Sequence, residues 1–157
     1  MIYSLDDVLI NNIAWILRRF PVFGVPGRGD YGLQPIHIDD MVDVLVQAGQ
    51  RSDNYQQDAV GPEQFSFTEL VRLIARSLGR AVLVMPLPSA LALRAAQAVG
   101  MLVNDVVLTR DEVDGLMAGL LVSRQSPAGR IRLSSWLSEN ASRVGARYAS
   151  ELNRHFR

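Results

Sequence analysis

The stretch Gln34-Pro35-Ile36-His37-Ile38-Asp39-Asp40 carries the most structural information in the chain. Ile36 and Ile38 alternate with His37, the period of a half-buried strand, and this predicts a strand ending at Asp39. Asp39 is then placed to cap a helix through its side chain. Helical spacing gives that helix a buried stripe of Met41, Val42, Leu45 and Val46.

Upstream, Ile10, Ile13, Leu17 and Phe20 recur at helical spacing, so residues 7–20 read as a helix. Arg18 and Arg19 fall in its last turn, where the dipole favours cations, and Pro21 stops it. Val22–Val25 reads as a short strand and Pro26–Gly32 as a loop. Downstream, a polar loop over 49–54 leads to an expected strand at Tyr55–Val60 and a Gly61-Pro62 turn. Ser66-Phe67-Thr68-Glu69 has the form of a capping box. It opens a helix on Phe67, Leu70, Val71, Ile74 and Leu78, closed by Gly79 as a left-handed C-cap. A strand at Ala81–Met85 and a helix from Pro88 and Ser89 follow, both read as buried. Thr109-Arg110-Asp111-Glu112 is a second capping box, with Val113, Leu116, Met117, Leu120 and Leu121 on one face. A short strand at Arg130–Leu133 and helices around Trp136–Val144 and Arg147–Phe156, separated by Gly145, complete the chain. The fold class is α/β, rich in helix with short scattered strands.

The length of 157 residues suits one domain, or one and a fragment, burying roughly 70% of its unfolded surface. Hydrophobic residues make up 48%, which argues against disorder. Sixteen basic and sixteen acidic residues cancel, which argues against nucleic acid or an anionic membrane as principal partner. Every basic residue among the sixteen is arginine, and there is no cysteine. A thiolate metal site and a disulfide framework are thereby excluded, and a cytoplasmic location suits the composition. The opening residues carry acids where a signal peptide needs bases. The most apolar stretch, residues 81–103, is broken by Pro86, Pro88, Arg94 and Gln97, so no membrane span is expected.

Gly27-Arg28-Gly29-Asp30-Tyr31-Gly32 matches the dinucleotide-binding pattern of three glycines. That chemistry requires a helix directly after the loop, its N-terminus facing the pyrophosphate. Leu33-Gln34-Pro35 and a strand follow instead, so a hairpin-like loop is expected. Ser77 in Ala75-Arg76-Ser77-Leu78-Gly79 has a helix before it and a strand after, the reverse of a nucleophile elbow. His37 and Asp39 share a strand face without an evident third ligand, so a structural role is expected for both. Asp6, Asp7, Asp39, Asp40, Asp43, Asp111, Glu112 and Asp114 fall near helix starts, where the dipole stabilises negative charge.

The order of these features resembles the C-terminal part of extended or atypical short-chain dehydrogenases, the NAD(P)-dependent epimerase/dehydratase superfamily. The residues that carry the likeness are Phe20-Pro21-Val22-Phe23-Gly24, Gln34 to Asp40, Val60-Gly61-Pro62-Glu63 and Ser66 to Leu70. The branch that includes complex-I-associated, nucleotide-binding accessory subunits is the most similar. The resemblance implies a partial Rossmann-type fold, a C-terminal lobe without the N-terminal dinucleotide-binding unit. Residues 1–60 would be a junction segment completing the nucleotide-binding lobe, and 61–157 a substrate-side helical lobe.

Family members also carry a Tyr-x-x-x-Lys pair, in which the ammonium lowers the tyrosine pKa. The residues four positions after Tyr3, Tyr31, Tyr55 and Tyr148 are Asp7, Pro35, Ala59 and Leu152, and none can serve. The resemblance therefore implies NAD or NADP for an intact relative but no cofactor and no catalysis for this chain alone. Leu33 stands where sugar-nucleotide-binding members place an arginine to grip a diphosphate. By position, Asn12, Phe23, Gln34 and His37 become the substrate-cleft candidates, facing a small molecule. The expected partner is the missing N-terminal lobe or another copy of the chain, because unpaired strands and apolar faces favour self-association. A non-enzymatic binding or oligomerisation module of the same descent is the alternative, and a small hydrolase using His37 and an aspartate is a third, weakened by the lack of a nucleophile.

Overall fold

The computed structural model describes residues 1–103 and 110–150. Its elements run β1 (Ile2–Tyr3), α1 (Leu9–Arg19), β2 (Val22–Pro26), β3 (Gly32–Leu33), β4 (Ile36–His37), α2 (Ile38–Gly49), β5 (Phe65–Ser66), α3 (Phe67–Ser77), β6 (Leu83–Leu87), α4 (Ser89–Val103), α5 (Arg110–Met117) and α6 (Leu133–Asn140). The core is helical in origin. On α1, Ile10, Ile13, Ala14 and Leu17 fall on one face and are buried. They meet Phe67, Leu70, Val71, Ile74 and Ala75 of α3, and Leu133, Trp136 and Leu137 of α6 close the cluster. The capping box of α3 is formed reciprocally: the Glu69 amide donates to Ser66 Oγ at 3.2 Å and the Ser66 amide to Glu69 Oε2 at 2.7 Å.

Strands contribute little continuous pairing. Among the described residues there are three two-stranded sheets. β1 lies parallel to β4, with Tyr3 opposite His37, and β3 lies antiparallel to β5. β2 lies parallel to β6 over five residues, from Val22 opposite Leu83 to Pro26 opposite Leu87. The glycine-containing loop therefore joins strands of two different sheets and is not a hairpin, because β2 and β3 do not pair. The strand expected at Ala81–Met85 begins two residues later, at the positions that face β2.

Several expectations need correction. The strand around Ile36 stops at His37, and His37 rather than Asp39 is the cap of α2: its Nδ1 accepts the Asp39 amide at 3.2 Å. The stripe on α2 is not buried. Val42, Leu45 and Val46 are 48%, 58% and 54% exposed, since no described element lies over that face. The inward residue is Asp40, whose Oδ2 accepts the amides of Arg130 and Ile131, both at 2.8 Å. Those two bonds explain why Arg130–Leu133 is not a strand: a carboxylate satisfies its backbone donors in place of a neighbouring strand.

Tyr55–Val60 is likewise irregular, and its backbone is tied to the loop around 123–129. The Asp58 amide donates to Gln125 Oε1, and Val60 O accepts the amides of Ala128 and Gly129. The segment over 81–103 is only partly buried, with Ala92 and Ala96 inside but Leu83, Leu91 and Met101 outside. On α5 Val113 is buried and Met117 exposed, and Leu120, beyond the end of the helix, is exposed as well. The helix expected through Val144 ends at Asn140, and turns follow to Gly145. At Gly145 φ is +67°, and its amide donates to Asn11 Oδ1 at 2.9 Å. Residues 147–150 are not helical; the remainder of the helix expected at Arg147–Phe156, and Thr109 of the second capping box, lie outside the described residues.

Removing the Asp40 carboxylate leaves two partly buried amides without acceptors. Asp40→Ala is expected to lose about 2–4 kcal/mol in denaturant-induced unfolding. Asp43→Ala, on the exposed face of the same helix, is expected to change stability by less than about 0.5 kcal/mol.

Candidate functional site

A cleft of about 430 Å³ lies between α1, β2 and α4. The inward turns of α1 supply Leu9, Asn12, Ile13 and Ile16, and β2 supplies Val22, Phe23 and Gly24. The far wall is an alanine-rich face of α4, with Ala92, Ala95, Ala96 and Val99 at helical spacing. Gly24 lets Leu87 approach closely across the β2–β6 pair, since a Cβ there would run into the Leu87 side chain. Among the described lining residues only Asn12 has a polar side-chain atom, and both ends of its amide are engaged by the backbone of Ala149. Its Nδ2 donates to Ala149 O at 3.0 Å, and its Oδ1 accepts the Ala149 amide at 2.9 Å.

Asn12 and Phe23 thus line one cavity, while Gln34 and His37 lie elsewhere. Gln34 is 2% exposed, with Nε2 donating to Gly61 O at 2.9 Å and Oε1 accepting the Ser123 amide at 3.0 Å. Gly61 comes so close to the Pro35 carbonyl that a Cβ would collide with it. Beyond capping α2, His37 sets its ring edge-on to Tyr3, with centroids 5.1 Å apart, and tilts against Trp136. Asp39 Oδ2 is 3.5 Å from His37 Nδ1 but its side chain is largely in solvent. Among the described residues no three His, Asp or Glu side chains are placed to hold a metal ion.

Tyr3 and Tyr31 have the opposite electrostatics from a catalytic base. Burial, reinforced by Asp40 and Glu63, pushes the Tyr3 hydroxyl far above its ordinary pKa, and it donates to Ile131 O at 3.0 Å. Burial and Asp30 push Tyr31 up to about 12, and its ring stacks on Phe67. Glu63 goes the other way. Partial burial would raise its pKa, but the Ser134 amide and hydroxyl, at 2.9 and 2.7 Å, together with Arg132 hold the carboxyl below its ordinary value.

The glycine loop does not fit a dinucleotide. Gly27 and Gly29 take positive φ, yet the loop runs into β3 rather than a helix. It lies over the start of α3 with its carbonyls inward: Tyr31 O accepts the Phe67 amide and Gly29 O the Thr68 amide, each at 3.0 Å. The amides that could have cradled a phosphate at that helix start are therefore occupied by the loop itself. Ser77 ends α3, its Oγ donating to Ile74 O at 2.8 Å.

Sequence reasoning missed the cleft's α4 wall and the roles of Asp40 and Glu63. The alanine spacing on α4 was a usable signal, though it reads equally as ordinary helix packing. Neither carboxylate's role had one, because their partners lie 90 and 71 residues away.

No family model matches the sequence, and no curated protein matches it. Solved structures do resemble it. One is UDP-glucuronic acid 4-epimerase from Bacillus cereus in complex with UDP-glucuronic acid and NAD, with a TM-score of 0.51 and 17% sequence identity. The likeness covers 92% of this chain and 42% of the epimerase chain, so this chain spans less than half of that protein's length. At that identity the fold alone is shown: a mixed α/β arrangement matching part of a Rossmann-like fold.

Proposed function

We propose that this chain is the C-terminal, substrate-side part of an NAD(P)-dependent epimerase/dehydratase-like protein, and that it is not catalytically competent alone. The observation that supports this most is the extent of the likeness, nearly all of this chain against less than half of the epimerase. Residues 1–60 act in this reading as the junction with a nucleotide-binding lobe and 61–157 as the substrate-side lobe. Asn12 and Phe23 belong to the substrate cleft; Gln34 and His37 hold the segments that frame it. NAD or NADP binds the intact relative, through a phosphate-binding glycine turn that opens a helix and a Tyr–Lys pair. This chain has no lysine, and its Gly27–Gly32 loop opens no helix.

The second reading, a non-enzymatic binding or oligomerisation module, is favoured by the exposed stripe on α2. Ile38, Val42, Leu45 and Val46 fall on adjacent turns, and Ile2 on the neighbouring β1 is exposed as well. Such a face is satisfied either by the dinucleotide-binding lobe or by another copy of the chain.

The first reading is tested by thermal denaturation with NADH and NADPH. A ligand at a hundred times its dissociation constant adds roughly 2.7 kcal/mol to the native state. No shift is expected for this chain, and a clear shift would contradict the reading of the Gly27–Gly32 loop. Self-association is tested by light scattering at micromolar concentration, with a mass of at least two chains expected. Val42→Ser with Leu45→Ser is expected to give the monomer at nearly unchanged stability; a monodisperse wild-type monomer would contradict the account of α2.

A further inference from the structure

We infer that the cleft between α1, β2 and α4 binds a hydrocarbon chain, the alkyl or acyl tail of an amphiphile, rather than a nucleotide or a sugar. The inference names the substrate class for the substrate side proposed above and rests on that reading for its biological sense, but the binding itself is a property of this chain. Three observations carry it.

The first is the lining. Among the described residues seventeen line the space, and sixteen of them carry no polar side-chain atom. A hydroxyl-rich or charged ligand placed there would surrender its bonds to water without replacement, a penalty that grows with each group. The second is the state of the single exception. The Asn12 amide is anchored to the backbone of Ala149 by one N–H and by its oxygen, which leaves a single N–H as the polar side-chain donor among the described lining residues. The third is charge. A diphosphate needs cationic donors, and among the described residues no arginine lines the cleft. Leu33, where a diphosphate-gripping arginine would stand by resemblance, is fully buried and paired in β3 with Phe65 of β5.

Size narrows the ligand further. A volume of about 430 Å³ falls at the lower end of the range for small-molecule sites. It holds roughly fourteen methylene-sized units, taking each as about the 30 Å³ of a water molecule. The polar head of the amphiphile stays at the mouth, in water.

The test uses this chain without cofactor, with 1,8-anilinonaphthalene sulfonate as reporter and straight-chain 1-alkanols from hexanol to tetradecanol as competitors. Affinity is expected to rise about fourfold per added methylene, from the transfer free energy of a buried CH₂, and to level off near the length that fills the cleft. Ala96→Phe, which fills the cleft from the α4 wall, is expected to weaken alkanol binding at least tenfold. Ala95→Trp does the same from an exposed position on that wall and guards against a folding defect in the first variant. Leu120→Ser, at a residue 81% exposed and outside the cleft, leaves the affinity unchanged.

Four results would overturn the inference: no saturable alkanol binding, equal affinity in both alanine variants and wild type, displacement of the reporter by micromolar UDP-glucuronic acid, or dissociation of an oligomer by the alkanol. The last would assign the cleft to a second copy of the chain. None of these outcomes depends on NADH or NADPH binding, so failure here is distinguishable from failure of the epimerase-like reading.

Discussion

The carboxylate of Asp40 is the constraint around which the rest of the chain is arranged. It leaves the first turn of α2 pointing inward and accepts two consecutive amides from residues 130 and 131. A buried carboxylate without such donors is costly, and buried amides without such an acceptor are costly too. Bringing them together fixes α2 and β4 against the extended segment that leads into α6. That segment places Trp136 against Tyr3 and His37, and so seals the core on the side of β1.

The same device recurs wherever the short sheets leave the chain without long-range pairing. Gln34 joins Gly61 to Ser123, Glu63 holds the start of α6 through Ser134, Asn11 takes the Gly145 amide and Asn12 both polar groups of Ala149. Side-chain bonds to distant backbone here do what a continuous ladder does in a larger sheet. The motifs that make the chain resemble a dehydrogenase, Gln34 to Asp40 and Val60 to Glu63, are thereby used for architecture. In them Gln34, Asp40 and Glu63 bond to backbone groups far away in the sequence.

Local physics was legible in the sequence. The apolar spacing of α1 and α3, the Ser66–Glu69 capping box, the left-handed Gly79 and the apolar run of β2 each follow from residues within one or two turns of one another. Properties set by distant partners were not. The α2 stripe reads as buried because its spacing is that of a core helix, and only the absence of a described element over it leaves it in solvent. Tyr55–Val60 has the composition of a strand, yet its partners are loop groups at 123–129. Of the four site candidates, Asn12 and Phe23 fall together on the cleft, while Gln34 and His37 carry structural bonds that no spacing rule connects to Gly61 or Trp136.

The described residues thus form an apolar cleft beside a set of polar side-chain staples. The staples are the central claim, and amide hydrogen exchange measures them most directly. If Asp40 holds the 130–131 segment as described, the amides of Arg130 and Ile131 exchange slowly, at rates approaching those of the interior of α3, although neither lies in a strand or a helix. Exchange as fast as that of the exposed residues 51–57 would contradict the account.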